Sequence, residues 1–379
     1  MVEMLEEEQN DLPGSLKIEE NRPPILRFGL QEPMQIGNLV LSSRFHLSPL
    51  AGYTNLPMRQ TLRELGGLGL ATTDLINAKG LLMGSRKSLE LIATQQEDRP
   101  LAVQIYGNDS NEMVQAAQWL ENYGASVIDI NMGCPVRKVV KGGGGSAMMC
   151  DTTGAVIRLV EKVVTGVKIP VTVKMRLGWD DSQLTAPYFA REFEKIGVKA
   201  LTIHGRTRAQ GFHGKVNRAG IRAVVEAVEK IPIFGNGDIR TITDAEQMFT
   251  ETGCAGLAIG RGALANPYIF QQLNYWWHTG EPLEIVGYEA HLNIMRIHVQ
   301  RLIEWRGEKF GCIQFRKIAP WYCRHLRTGK PIQQMLVRLE TWDQFLSIDQ
   351  QLRDLGTPKD WHHHSRNEIP VPAGPISHW

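Results

Sequence analysis

"SVIDINMGCPVRKVVKGGGGSAMMCD" runs from Ser126 to Asp151. An apolar, β-branched run ends at Asn131, Gly133, Cys134 and Pro135, and a basic, glycine-rich loop follows. A cysteine kept for packing more often sits within a strand, on its apolar face. Here glycine and proline bend the chain and present the thiol at the mouth of the strand. Runs of the same kind recur: "FHLSPLAG" (45–52), "LGLATTD" (68–74), "LAVQIYG" (101–107), "PVTVKMRLG" (170–178), "KALTIHGR" (199–206), "IPIFGNGD" (231–238) and "AGLAIGRG" (255–262). Between them lie amphipathic stretches such as "NEMVQAAQWLENYG" and "TGAVIRLVEKVVTGV", apolar at helical spacing. Strands so nearly continuous in apolar residues are expected to be buried on both faces, as in a parallel sheet. Eight βα units over about 230 residues have the size and rhythm of a (β/α)₈ TIM barrel.

After residue 280 the rhythm changes. "YEAHLNIMRIHVQRLIEWRG", "GCIQFRKIAPWYCRHLRTG" and "PIQQMLVRLETWDQFLSIDQQLRDLG" read as three helices with no strand between them. The predicted organisation is a disordered acidic tail over 1–24, an α/β barrel over 25–280, an all-helical C-terminal domain over 282–356 and a disordered tail over 357–379. Three adjacent histidines, His362 to His364, lack further ligands and read as part of that tail rather than as a metal site.

The chain has 379 residues, 42% of them apolar, enough for a sizeable core, and its 37 glycines suit many tight turns. Five cysteines, at 134, 150, 254, 312 and 323, form no CxxC or zinc-spaced pattern, so neither a disulfide framework nor a metal is expected. The acidic start, "MVEMLEEEQNDLPG", has no apolar signal region, and no apolar run has transmembrane length. A cytoplasmic monomer without membrane association is the expectation. The net charge of +2 hides an uneven distribution. Residues 1–40 hold three basic and eight acidic side chains, whereas 301–330 hold eight basic and two acidic ones. A local field of that size attracts a polyanion, although a solvated helix face explains the charge alone equally well.

Barrels of this kind carry their active sites at the carboxyl ends of the strands, and the polar residues collect there. They are Gln104, Asn131 with Cys134, Lys174 with Arg176, His204 with Arg206, Asn236 with Asp238, and Arg261. Strands seven and eight end in "GNGDI" and "IGRGAL", glycine turns whose backbone N–H groups can approach an anion. With Arg261 beside them they read as a phosphate cradle, for flavin mononucleotide (FMN) or a sugar phosphate alike. A thiol with an ordinary pKa is mostly protonated at neutral pH, so Cys134 can serve as proton donor as well as nucleophile.

The sequence resembles the tRNA-dihydrouridine synthases, of the bacterial B-type branch. The family pattern of apolar–Asp–apolar–Asn–x–Gly–Cys–Pro, a Lys/Gly-rich loop and Gly–Ser matches "IDINMGCPVRKVVKGGGGS". The likeness continues through "PLAGYTNLPMR", "AVQIYG", "VTVKMRLGW", "HGRTRAQGFHG", "IFGNGDI" and "AIGRGALANPYIF", and so covers about residues 25–275. It is weaker over "FRKIAPWYCRHL", where the histidine that often follows the Arg–Lys pair is missing, and "VNRAG" stands where many members have a tryptophan. The resemblance implies an FMN-dependent oxidoreductase that reduces the 5,6 double bond of tRNA uridines with NADPH or NADH as electron donor. Hydride would go from reduced flavin to C6 and a proton from Cys134 to C5. Pro49, Leu50 and Ala51 would line the flavin and Gln104 would bond its ring. Lys174 and His204 would flank it, and Asn236, Gly237, Asp238, Gly260 and Arg261 would hold its phosphate. Asn131, Lys174 and Arg176 would face the uracil, and Arg316, Lys317 and Arg324 would contact the RNA. A small-molecule flavin oxidoreductase, of the dihydroorotate dehydrogenase kind, would share the barrel site without needing a basic helical domain.

Overall fold

The computed structural model describes residues 33–283, 287–359 and 361. The tail expected over 1–24 lies outside the described residues, as do 360 and 362–379 of the tail expected from 357 onward.

A short antiparallel hairpin, β1 (Met34–Ile36) and β2 (Leu39–Leu41), comes first. It is followed by β3 (Phe45–Leu47), β4 (Leu70–Thr72), β5 (Ile76–Asn77), β6 (Leu101–Tyr106), β7 (Val127–Met132), β8 (Val171–Arg176), β9 (Ala200–His204), β10 (Ile233–Asn236) and β11 (Gly256–Ile259). β5 is a two-residue strand beside the end of β6. The other eight pair in parallel, and pairings of β3 with β11 and of β4 with β6 close them into a ring. This is the (β/α)₈ barrel expected from the sequence, and its strands are the eight apolar runs.

Strand alternation explains the inside of the ring. Ile128, Ile130 and Met132 of β7 join the large core between sheet and helices, while Val127 belongs to a second, smaller apolar cluster. That cluster unites Leu70, Ala102, Val127, Ala200, Phe234 and Ala258, one from each of six barrel strands, with Met34, Ile36 and Leu41 of the hairpin. The hairpin therefore plugs the barrel floor, and Gly37 turns between its strands at φ +61°, a left-handed conformation that glycine adopts without strain. Above the floor, His46, Thr72, Asp129, Thr172 and Thr202 surround a small internal cavity. The polar ends of the strands form the layer above that.

The helical domain comprises Tyr288–Arg306, Glu308–Leu326, Gly329–Leu336 and Trp342–Leu355. The third stretch read as one helix is thus two. Thr341 ends the connection with a capping box, its hydroxyl accepting from the Gln344 N–H while Gln344 accepts from Thr341. Arg301 reaches back to the barrel, to the Thr61 hydroxyl at 3.2 Å and to the Glu64 carboxylate, and Arg306 bonds Glu90 at 3.1 Å. Trp361 packs edge-on against Tyr288 and donates its indole N–H to the His325 carbonyl at 3.1 Å.

Helix Leu56–Leu65 stands between barrel and helical domain. Asn55 caps it by accepting from the Met58 N–H, and Pro57 suits its first turn. Its Arg59 is fully buried against an equally buried Asp98, at 2.7 Å, and also donates to the carbonyls of Thr54 and Ala93. A buried pair need not stabilise relative to apolar residues, but breaking one leaves a charge without compensation. Asp98→Asn should therefore lower the unfolding free energy by about 3–5 kcal/mol, read as a lower denaturant midpoint at unchanged slope. A loss below about 1 kcal/mol, the net worth of an ordinary hydrogen bond, would mean that the two carbonyls alone satisfy Arg59.

Candidate active site

The carboxyl ends of the barrel strands open into one cleft, the end at which barrels of this kind hold their ligands. Pro49, Leu50, Ala51, Gln104, Asn131, Cys134, Lys174, Arg176, His204, Asn236, Gly260 and Arg261 all line it. Gly237 and Asp238 line a smaller adjoining cleft together with Gly260 and Arg261. Ser48, Tyr53 and Phe212 also line the large cleft, although the sequence reading assigned them no role. Phe212 carried a signal in retrospect, an aromatic inside the glycine-bounded run "RAQGFHG". Arg316, Lys317 and Arg324 sit apart, on helix Glu308–Leu326.

Cys134 follows β7 on a turn held from below. Asn131 Oδ1 accepts from the N–H groups of Gly133, at 3.2 Å, and Cys134, at 2.9 Å. Asn131 Nδ2 donates to Gln104 Oε1 at 2.6 Å, and Gln104 Nε2 donates to Asp129 at 2.6 Å. Both amides that the sequence suggests for ligand contacts are thus also spent inside the protein. Burial pushes the Cys134 thiol pKa up, against opposing pulls from the Val136 N–H, Arg176 and Lys174. The thiol stays protonated at neutral pH.

Arg176 donates from Nε to the Gly133 carbonyl at 2.8 Å and from Nη1 to the carbonyls of Thr207, at 2.9 Å, and Gly211, at 2.7 Å. Phe212 then lies under both Arg176 and Arg261, with ring centroids 5.3 and 4.8 Å from the guanidinium carbons. Lys174 donates to Asn236 Oδ1 at 3.0 Å. Burial and the neighbouring Arg176 bring its pKa down to about 8. Burial, followed by the charges of Arg176, Lys174, Arg206 and Arg261, holds His204 well below the usual imidazole range, so its ring is neutral. The layer is strongly electropositive and suits a ligand with negative oxygens.

The adjoining cleft is built from two glycine turns in close contact. A Cβ on Gly262 would lie 2.1 Å from the Ile239 carbonyl oxygen, and one on Gly237, at φ +120°, would lie 2.6 Å from Val216. The Asp238 carboxylate pairs with Arg206, at 2.6 Å, and with Arg261, at 3.6 Å, and accepts from the Val216 N–H at 3.2 Å. Backbone of the two turns and the Arg261 guanidinium therefore line the cleft, a donor set that fits a phosphate. Asp238 can serve such a ligand through its backbone, since its side chain would repel it. Behind β4 the Asp74 carboxylate accepts from the N–H groups of Gly52 and Leu75, at 2.5 and 2.8 Å, although burial pushes its pKa up to about 6. These bonds hold the loop that carries Leu50 and Ala51.

On the helical domain, Lys317 and Arg324 are exposed. Arg316 is half-buried, bonded to the Leu339 carbonyl at 2.8 Å and paired with Glu340. Lys317 Nζ lies 3.7 Å from where a Cβ on Gly52 would stand, so the domain reaches the barrel mouth. Among the described residues no helix is long and apolar enough to cross a membrane, and no group of three His, Cys, Asp or Glu is placed to hold a metal.

Comparison with known proteins places this geometry. Over residues 46–354 the chain matches the family described as dihydrouridine synthase (Dus). A "Probable tRNA-dihydrouridine synthase" of Rickettsia bellii is 39% identical over 290 residues, covering 76% of this chain and 88% of that protein. The tRNA-dihydrouridine synthase B of Pseudomonas aeruginosa is 36% identical over 310 residues, covering 82% and 92%. Among solved structures, the histamine dehydrogenase of Rhizobium sp. 4-9 is similar with a TM-score of 0.50 at 12% identity, over 72% of this chain and 51% of that one, a likeness of fold alone. With a matched span running from the first barrel strand into the last helix, and a cysteine turn, cationic layer and glycine cradle at the barrel mouth, the chain belongs to the dihydrouridine synthase family.

Proposed function

We propose that this protein reduces uridines of tRNA to dihydrouridine, with FMN in the barrel-mouth cleft and NADPH or NADH as the source of electrons. The observation that carries the reading is a protonated thiol, Cys134, lining one cleft with Lys174, Arg176 and a neutral His204. Bound there, FMN would supply the hydride that a carbon–carbon double bond requires. The two glycine turns and Arg261 would hold its phosphate, and Lys174 and His204 would flank its ring. Gln104 and the backbone of Pro49, Leu50 and Ala51 would border the ring. Asn236 keeps Lys174 in place, donating in turn to Ser48 and to the Ala258 carbonyl.

The chain's own contribution is charge and a proton. Lys174 and Arg176 stabilise negative charge that develops on the uracil carbonyls, and Cys134 Sγ delivers its proton to C5. A uridine in folded RNA reaches such a depth only when drawn out of its stack. Lys317 and Arg324, with the exposed Arg327 at the end of their helix, lie where phosphates of the RNA body would pass. Arg316 of the same helix, which also bonds the Leu339 carbonyl, would contact the RNA with them.

Two measurements test this reading. Cys134→Ala should bind FMN as tightly as wild type in an absorbance titration, yet form dihydrouridine about 10²–10⁴-fold more slowly, the usual cost of losing a positioned general acid. Wild-type rates in the variant would reduce the thiol to a packing residue. Replacing Lys317, Arg324 and Arg327 together should weaken tRNA binding and flatten its log–log salt dependence by about 0.7–0.9 for each lost phosphate contact, with FMN affinity unchanged. An unaltered salt slope would make the basic run a solvated face.

A further inference from the structure

We propose that Asp129 is a positioning residue: it fixes the direction in which Gln104 and Asn131 present their amides and, through them, the turn that carries Cys134. Gln104, Asp129 and Thr172 are direct neighbours on β6, β7 and β8. Asn131 lies two residues beyond Asp129 and so points to the same side of its strand. Asp129 is 5% exposed and does not line the ligand cleft, so it acts only through its neighbours.

The order of the bonds follows from what each group can do. Burial pushes the Asp129 pKa up, while the hydrogen bonds from Thr172 and Gln104 and the charge of Lys174 favour the ionised form; that form only accepts, whereas a side-chain amide has one donating and one accepting end. Asp129 Oδ1 takes the Thr172 hydroxyl at 2.7 Å, and Oδ2 takes Gln104 Nε2 at 2.6 Å. Gln104 must then turn its oxygen to Asn131, which gives its own nitrogen at 2.6 Å. That leaves Asn131 Oδ1 for the N–H groups of Gly133 and Cys134. Reversing any one amide sets like ends against each other at hydrogen-bond distance. Reversing both brings a donor against the N–H groups of the turn. The direction is therefore held from both ends, by the acceptor at Asp129 and by the N–H groups of the turn, and Asp129 reaches that turn only through the two amides.

A carboxylate is needed for this only while nothing else can hold the direction. In Asp129→Asn the new amide can keep its oxygen toward Gln104 if its nitrogen finds an acceptor, and the Thr172 hydroxyl can rotate to accept. In Thr172→Val the carboxylate still accepts from Gln104. With both substitutions, the nitrogen of the introduced amide faces either a methyl group or Gln104, and in the second case the whole order reverses. All three variants are nearly isosteric, so packing changes little. The two substitutions together should therefore do far more than their separate effects combined.

The inference rests on the reading of Cys134 as proton donor only for its consequence for rate; the turn is read without RNA or flavin. Hydrogen exchange of the Gly133–Cys134 amides, with iodoacetamide alkylation of Cys134 as a second readout, gives the test. Each single variant should stay within about 3-fold of wild type, and the double variant should exchange at least about 10-fold faster, a coupling of the size that neighbours in one network show. Dihydrouridine formation in the double variant should fall in kcat with little change in KM for tRNA. Effects that add, or an Asp129→Asn variant already as fast as the double, would overturn the proposal and leave Asp129 a matter of charge or packing. Should the double variant not fold, the wild type still decides. Its two amides should exchange at least about 100-fold more slowly than an unstructured chain, as bonded native amides do, and unprotected exchange there would end the argument.

Discussion

Arg176, the last residue of β8, donates to the carbonyls of Gly133, Thr207 and Gly211. Those carbonyls belong to the loops behind β7 and β9, and one guanidinium thus sets the distance between the Cys134 turn and the segment that carries Phe212. A lysine has a single point of attachment and could not hold both loops at fixed angles, whereas a planar fork can. Burial brings the Arg176 pKa down to about 10, yet that leaves it charged at any physiological pH, so the brace does not release. Phe212 in turn lies under Arg261, so the shape of the thiol end and the shape of the phosphate end are set by the same loop.

The brace places like charges close together. Arg176, Arg206 and Arg261 crowd one another, which adds to burial, the larger influence, in lowering the pKa values of Arg176 and Arg261, and Lys174 stands beside them. Asp238 answers part of that charge through Arg206 and Arg261, and Asp129 answers part of it from below Lys174. The surplus faces the cleft. A phosphate, or an oxygen that gains negative charge during reaction, lowers the cost of holding these groups together. Burial, together with the same crowding, keeps His204 neutral, so it meets a ligand as a hydrogen-bonding ring and not as a cation.

The barrel was legible because its signal is periodic: each strand repeats one apolar pattern and each is followed by a helix. The hairpin was not, since three-residue strands are too short for a period, and its "GN" turn is read as a hairpin only when both flanks are recognised as strands. The break in the last helical stretch was written in "TWDQ", a capping box whose Thr341 and Gln344 stand three residues apart. Charge misled more deeply. The run of basic residues over 301–330 looks like one surface, but Arg301 and Arg306 turn back to Glu64 and Glu90, more than 200 positions earlier, and Arg316 to Glu340. Sequence counts charges; only the fold decides which of them are already answered. The amides show the same limit. Gln104 and Asn131 are placed at the cleft by strand ends alone, but that they also bond each other depends on neighbouring strands in register.

The state of the thiol is where these constraints meet. Two cations beside a cysteine ordinarily make it a nucleophile by drawing its pKa down. At Cys134 Arg176 and Lys174 exert that pull, but burial and the nearby Asp74 carboxylate oppose it, and burial is the largest influence. Part of the reason is geometric. Arg176 spends its Nε and Nη1 hydrogen bonds on carbonyls, and Lys174 donates to Asn236, so the charges act on the sulfur through space and not through a direct bond. A site built for nucleophilic attack would turn one of those donors to the sulfur. Here they are committed to holding loops and amides, which leaves the sulfur its proton while keeping positive charge close to where a carbonyl oxygen would gain electrons. Proton donation and charge stabilisation are therefore compatible in one cleft only because the cations are tied down.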